Sequence, residues 1–237
     1  MKQLNLTNKI YAALLVLLVI ATVVKLLRYK SWERYYYGAT FSAPRSYPIY
    51  IRNGYFILSD GDIAPVGSSD VNNHGTDWGY GDFQSPNTKE RLPEKLVLEY
   101  ASYRDQSFYA DTITLPARVI KQAFENMGES GISTDIYNSM PVKRLDFVVG
   151  VANKGNIIVW LRGEGAETTL LKYKINPHEP ISDETYHNGR LPKKEYLKQV
   201  FYIDSADQAA YDKGLDASAN FIDTPSLFKS RLSNGSQ

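Results

Sequence analysis

From residue 10 to residue 24 the chain reads IYAALLVLLVIATVV, without a charge and with apolar side chains on every face of a helix. Lys25 interrupts, and Leu26 and Leu27 continue. As a helix, residues 10–27 extend roughly 27 Å, close to the thickness of a bilayer's hydrocarbon core. Three readings fit. The segment is a retained anchor, a cleaved signal peptide with Lys2 and Lys9 as its basic start and Val19-Ile20-Ala21 as a cleavage site, or a buried core helix. The missing polar stripe speaks against the last. Tyr11, Tyr29, Trp32 and residues 35–37, all Tyr, suit the two interfaces. Orientation is divided. The basic residues after the span (Lys25, Arg28, Lys30, Arg34) outnumber those before it, which favours a cytoplasmic domain, whereas the signal-like order of the segment favours export.

Beyond the span the periodicity changes. Residues 31–46 show no clear period and read as a connector. Residues 47–58 (YPIYIRNGYFIL) read as two short strands broken by Arg52-Asn53-Gly54. Residues 59–93 form a long polar stretch. Residues 96–103 and 108–115 alternate as a hairpin across 104–107. Pro116 opens a helix with Val119, Ile120, Ala123, Phe124 and Met127 at helical spacing, stopped by Gly128. Residues 145–151 (LDFVVGV) and 156–161 (NIIVWL) flank the Asn153-Lys154-Gly155 turn, and after Gly163-Glu164-Gly165 residues 168–175 add a third strand. Trp160, mid-strand, reads as core rather than as a ligand-stacking ring. Two further helices are expected over 192–202 and 205–215, and a frayed tail over 233–237. The order is that of an α+β fold: a mainly antiparallel β-sheet packed with a few helices, plus one N-terminal transmembrane helix. The expected division is an anchor or uncleaved signal over 1–30, a connector over 31–46, a globular domain over 47–232 and the tail.

Composition narrows the function. Apolar residues at 43% and charged residues at 22% are those of a folded protein, not a disordered one. Five of the 27 basic residues and none of the 26 acidic ones fall within the first thirty, so the remainder is net acidic by four charges. Such a remainder disfavours nucleic-acid binding, which needs clustered cations. The chain has no cysteine, which excludes disulfides, cysteine-ligated zinc, a cysteine nucleophile and a lipidated-cysteine anchor.

Catalytic patterns are missing. There is no G-x-S-x-G elbow, no G-x-x-x-x-G-K-[ST] and no G-x-G-x-x-G. Adjacent carboxylates such as Asp183 and Glu184 carry no weight alone. The three histidines, His74, His178 and His187, lack a metal-site spacing. The one conspicuous constellation is residues 59–83, where Asp60, Asp62, Asp70, Asp77 and Asp82 accompany Asn72, Asn73 and His74, with Trp78, Tyr80 and Phe83 interleaved. It reads as a solvated loop, as a calcium-binding wrap without EF-hand spacing, or as an acidic, aromatic docking surface. On the last reading Asp77, Trp78, Tyr80, Asp82 and Phe83 touch a protein partner. No cofactor or metal is expected on that reading.

Three features carry a resemblance: the strand over 96–103 leading to Phe108-Tyr109, Leu115-Pro116 opening an amphipathic helix, and VVGVANKGNIIVWLRGEG at 148–165. Over roughly residues 50–175 the chain resembles the bacterial domain-of-unknown-function family 2931. The resemblance implies a small exported envelope protein without an assigned catalytic residue, some members lying near type VI secretion effectors. It thereby implies an immunity role: an inner-membrane protein facing the periplasm that binds and blocks a secreted toxin. The chain lacks the family's lipidated cysteine, and the helix over 10–27 takes the anchor's place in the bilayer. The rival functions are a metal-assisted hydrolase using the Asp- and His-rich loop 59–83, and an envelope scaffold.

Overall fold

The computed structural model describes residues 5–44, 46–67, 69–71, 78–81, 88–127, 132–134, 141–163, 165–178 and 218–234. The helices expected over 192–202 and 205–215 lie outside them. The chain forms two compact units, Met1–Arg34 and Tyr35–Gln237.

The first unit is built on α1, Leu6–Tyr29, none of whose residues is buried. That removes the buried-core reading. Among the described residues α1 is the one helix long and apolar enough to cross a membrane, as an anchor or a signal sequence does. It ends where Lys30 turns into the left-handed region (φ 45°, ψ 63°) and donates its N–H to the Leu26 carbonyl at 2.9 Å.

The second unit is α+β, with two sheets and mainly antiparallel pairing. The first sheet contains β1 (Arg34–Ser42), β5 (Glu90–Arg91), β9 (Pro141–Val151), β10 (Asn156–Gly163) and β11 (Ala166–Lys174), in the order β11-β10-β9-β1-β5, with β8 (Ile132–Thr134) also on β9. The second contains β2 (Ile49–Leu58), β3 (Ile63–Pro65), β6 (Pro93–Ser102), β7 (Ser107–Thr114) and β12 (Pro177–His178), in the order β12-β7-β6-β2-β3, with β4 (Ser69–Val71) also on β2. The expected hairpin β6–β7 and meander β9–β10–β11 are both present.

Two expectations are corrected. The connector over 31–46 contains β1, an interior strand that pairs in parallel with β9, from Tyr36 opposite Arg144 to Ser42 opposite Gly150. Its period is hidden because Gly38, Thr40 and Ser42 are small residues on a face that is itself covered, while Tyr37, Ala39 and Phe41 enter the core. Residues 47–58 do not hold two strands. They hold the single strand β2, whose register shifts between Ile51 and Asn53, so Arg52 is the extra residue of a bulge and Asn53-Gly54 pair with Glu99 and Leu98 instead of turning the chain. Gly54 is needed there: a Cβ would lie 2.3 Å from the Phe41 ring and 2.8 Å from the Gly67 carbonyl.

The sheets face each other across one apolar cluster that includes Phe41, Phe56, Leu98, Phe147 and Val159. Phe56 and Phe147 meet edge to face at 5.2 Å. The helix α2 (Ala117–Glu125) closes one side with Ile120 and Phe124, while Val119, expected on the same apolar face, is 48% exposed. The first sheet is covered on its other face too. Val148, Ala152, Ile158 and Trp160 form a second cluster there with Trp78, which explains why β9 and β10 read as nearly continuous apolar runs.

Candidate functional site

The Asp-rich stretch resolves into separate jobs. Asp60 and Gly61 turn the chain between β2 and β3, Gly61 having φ 87°. The Asp60 carboxylate faces the buried Arg91 guanidinium at 3.5 Å, and the Arg91 carbonyl accepts the Tyr37 hydroxyl at 3.0 Å. Asp70 lies in β4 opposite Tyr50. Among the described residues no group of three or more His, Asp or Glu side chains is placed to hold a metal ion. His178 sits in β12 opposite Phe108, and His74 and His187 lie outside the described residues.

Of the five expected contact residues, Trp78 and Tyr80 are described; Asp77, Asp82 and Phe83 lie outside. Trp78 is 7% exposed, so its ring belongs to the interior. It packs on Trp160 and Phe221, donates its indole N–H to the Thr224 carbonyl at 3.2 Å, and accepts the Leu227 N–H on its own carbonyl at 2.9 Å. The next three residues follow the end of β1. The Gly79 N–H donates to the Ser42 hydroxyl at 2.8 Å, and a Cβ on Gly79 (φ 86°) would fall 2.4 Å from the Ser226 Cβ. A Cβ on Gly81 would fall 2.4 Å from the Phe41 carbonyl oxygen. Tyr80 is thus carried, half-buried, between two glycines at which an added side chain would clash with its neighbours. Residues 78–81 are a staple, and the polar limbs 72–77 and 82–87 flank it in sequence.

Sequence reasoning missed the partner of this staple. Residues 218–234, ending in the helix α3 (Leu227–Asn234), run over the outer face of the first sheet. Phe221 and Ile222 pack against its apolar cluster, and the Asn153 amide donates to the Ala219 carbonyl at 3.2 Å. Beneath α3 lies a buried ion pair. The Arg162 guanidinium donates to Glu167 Oε2 through Nε at 3.0 Å and Nη2 at 2.5 Å, with the side chains 8% and 2% exposed. Ser226 joins it by donating to Glu167 Oε1 at 2.6 Å, while its oxygen accepts the Lys229 N–H as the helix cap. Arg162 also covers the Phe228 ring at 4.3 Å. The one local signal was that Arg162 and Glu167 straddle a tight turn and are paired across the hairpin. At the solvent edge the Lys172 ammonium, then the Asn220 amide, hold the Asp223 carboxyl below its usual range.

A family model for proteins of unknown function, DUF2931, matches residues 25–215. The chain belongs to the DUF2931 family. The DUF2931 region starts in the last turns of α1 and takes in both sheets, α2 and the staple; the strap over 218–234 follows it. Neither a curated protein nor a solved structure matches this DUF2931 chain significantly.

Proposed function

We propose that this DUF2931 protein is a periplasm-facing, membrane-anchored binding protein that serves as an immunity protein, neutralising a secreted toxin of the type VI kind by direct contact. The observation that carries the reading is the staple. A long acidic loop is expensive to order on binding. Here its middle is already fixed by the Trp78 ring and by two close glycine contacts, so Tyr80 is presented on a rigid base. Asp77, Asp82 and Phe83 follow immediately on either side in sequence. A net acidic domain steers a basic partner towards it, and the apolar helix α1 supports retention at the inner membrane, where the partner's local concentration is raised.

The test is a competition between cells. A strain lacking the gene is set against a neighbour that delivers the toxin, beside the same strain carrying the gene again. Selective killing of the deletion strain, reversed by the gene, is expected. Equal survival of the two against every toxin-armed neighbour tried would discard the immunity reading.

A further inference from the structure

The end of α1 carries a surface of its own. After Lys30 stops the helix, the short 3-10 turn Ser31–Glu33 folds the chain back, held by the Glu33 N–H on the Lys30 carbonyl at 2.9 Å. Arg34 completes the hook: its Nε donates to the Tyr29 carbonyl at 3.0 Å, and its guanidinium lies 4.5 Å from the Tyr29 ring centroid. The hook therefore satisfies terminal carbonyls of α1 that water would otherwise have to satisfy. It leaves Tyr29 48% and Trp32 60% exposed. Lys25, Arg28 and Lys30 project from the same two turns, against the single acid Glu33, which Lys30 faces at 3.5 Å.

We propose that this aromatic and basic collar binds the phosphate groups of anionic phospholipids in preference to zwitterionic ones. The inference rests on α1 as an anchor. A helix of 24 residues is about 36 Å long, somewhat more than the hydrocarbon core, so its last turn and the hook reach headgroup depth. Tyr and Trp partition to that depth, with the ring among acyl carbonyls and the polar edge towards water. Lys25 and Lys30 supply point charges, and the Arg28 guanidinium fits two phosphate oxygens at once. Arg34 acts as a positioning residue, because its bond to Tyr29 sets the hook. Each basic group beside an anionic surface favours association about fivefold, so the lipid shell of the collar is enriched in anionic lipid. Zwitterionic headgroups offer the same phosphate but no net charge for this collar to select.

The experiment uses the full chain in vesicles of equal parts phosphatidylcholine and phosphatidylglycerol, with one or the other lipid brominated to quench tryptophan. Trp78 and Trp160 are buried in the second unit, and Trp32→Phe assigns the quenched signal to Trp32. Brominated phosphatidylglycerol is expected to quench Trp32 at least about twofold more than brominated phosphatidylcholine. A K25Q/R28Q/K30Q variant should be quenched equally by both, which also shows that it still inserts. Equal quenching of the unaltered protein overturns selectivity and leaves the anchor standing. A charge variant that keeps the preference overturns the assignment to these residues. No quenching by either lipid overturns the anchor and the collar together, and the immunity reading would then be judged by the cell competition alone.

Discussion

Trp78 stands edge-on to Trp160, ring centroids 5.1 Å apart and planes at 74°. The pair joins a Gly- and Asp-rich loop to the outer face of β10, and it makes a stability prediction sharp. Trp78→Ala removes a buried ring, its bond to Thr224 and its contact with Phe221, for an expected loss of about 3–5 kcal/mol. Trp78→Phe keeps an edge contact and gives up the indole donor, for about 1–3 kcal/mol. Denaturant unfolding of the full-length protein in detergent should rank them in that order below the parent. An alanine variant as stable as the parent would contradict an interior role for the ring.

The Arg162–Glu167 pair predicts a second, differently shaped result. Glu167→Ala strands a guanidinium that is 8% exposed and also removes the acceptor for Ser226, so a loss of about 3–5 kcal/mol is expected. Replacing both members by apolar residues of similar size, as in R162M/E167L, should recover most of that loss, because no buried charge then lacks a partner. The same unfolding measurement decides. A double variant weaker than E167A would mean that the pair stabilises by more than avoiding an orphaned charge.

Tyr100 and Tyr109 stack at 4.8 Å with 16° between planes. Burial, then the neighbouring charges of Tyr109 and Asp105, hold the Tyr100 phenol well above its usual range. Burial, then Asp105, pushes Tyr109 up to about 12. Folded phenols therefore keep protons that unfolded ones release near about pH 10, and the folded state binds more protons in that window. Their contribution to stability is fully present below about pH 10 and is lost as pH rises towards 12. Melting temperature should fall across that interval, and Tyr109→Phe should flatten the fall. An unchanged alkaline slope in Tyr109→Phe would remove this tyrosine as its source.

What the sequence made readable follows from where each strand's neighbours lie. The β9–β10–β11 meander was legible because turn-forming residues, Asn153-Lys154-Gly155 and Gly163-Glu164-Gly165, separate its apolar runs in the sequence. The β1 strand was not, because its stabilising partner β9 is about a hundred residues away and its outward residues are small. Asn53-Gly54 spelled a turn, yet the residues on either side pair with the same strand, β6, so tertiary pairing overrode local chemistry. At the candidate site, the Gly and aromatic content of residues 78–81 was visible, but burial of Trp78 depends on Trp160, Thr224 and Phe221, all remote in sequence. An exposed contact aromatic and a staple look alike until those partners are in place.

The chain's lack of cysteine makes its orientation directly measurable. Thr112, exposed on β7, accepts a single cysteine without touching the core. With the outer membrane permeabilised and the inner membrane sealed, an impermeant maleimide should label Thr112→Cys in the full-length protein. Labelling only after the inner membrane is opened would place the domain in the cytoplasm and end the periplasmic reading, whatever the collar binds.

Tyr80 separates recognition from stability. Its backbone is held by the Gly79 N–H on Ser42 and by the close fit of Gly81 against β1, while its side chain is half-buried and lies outside the Trp78–Trp160 cluster. Tyr80→Ala should therefore cost less stability than Trp78→Ala, which empties a buried ring site. A tyrosine at the centre of a protein contact carries about 2 kcal/mol or more, so the same change should weaken capture of the toxin roughly thirtyfold. Protection in the cell competition should drop accordingly, while the melting temperature falls less than in Trp78→Ala. Trp78→Phe should show the reverse: lower stability, with protection retained at temperatures where the variant is folded. Full protection by a well-folded Tyr80→Ala would take this side chain out of the contact and move the search to the limbs on either side of the staple.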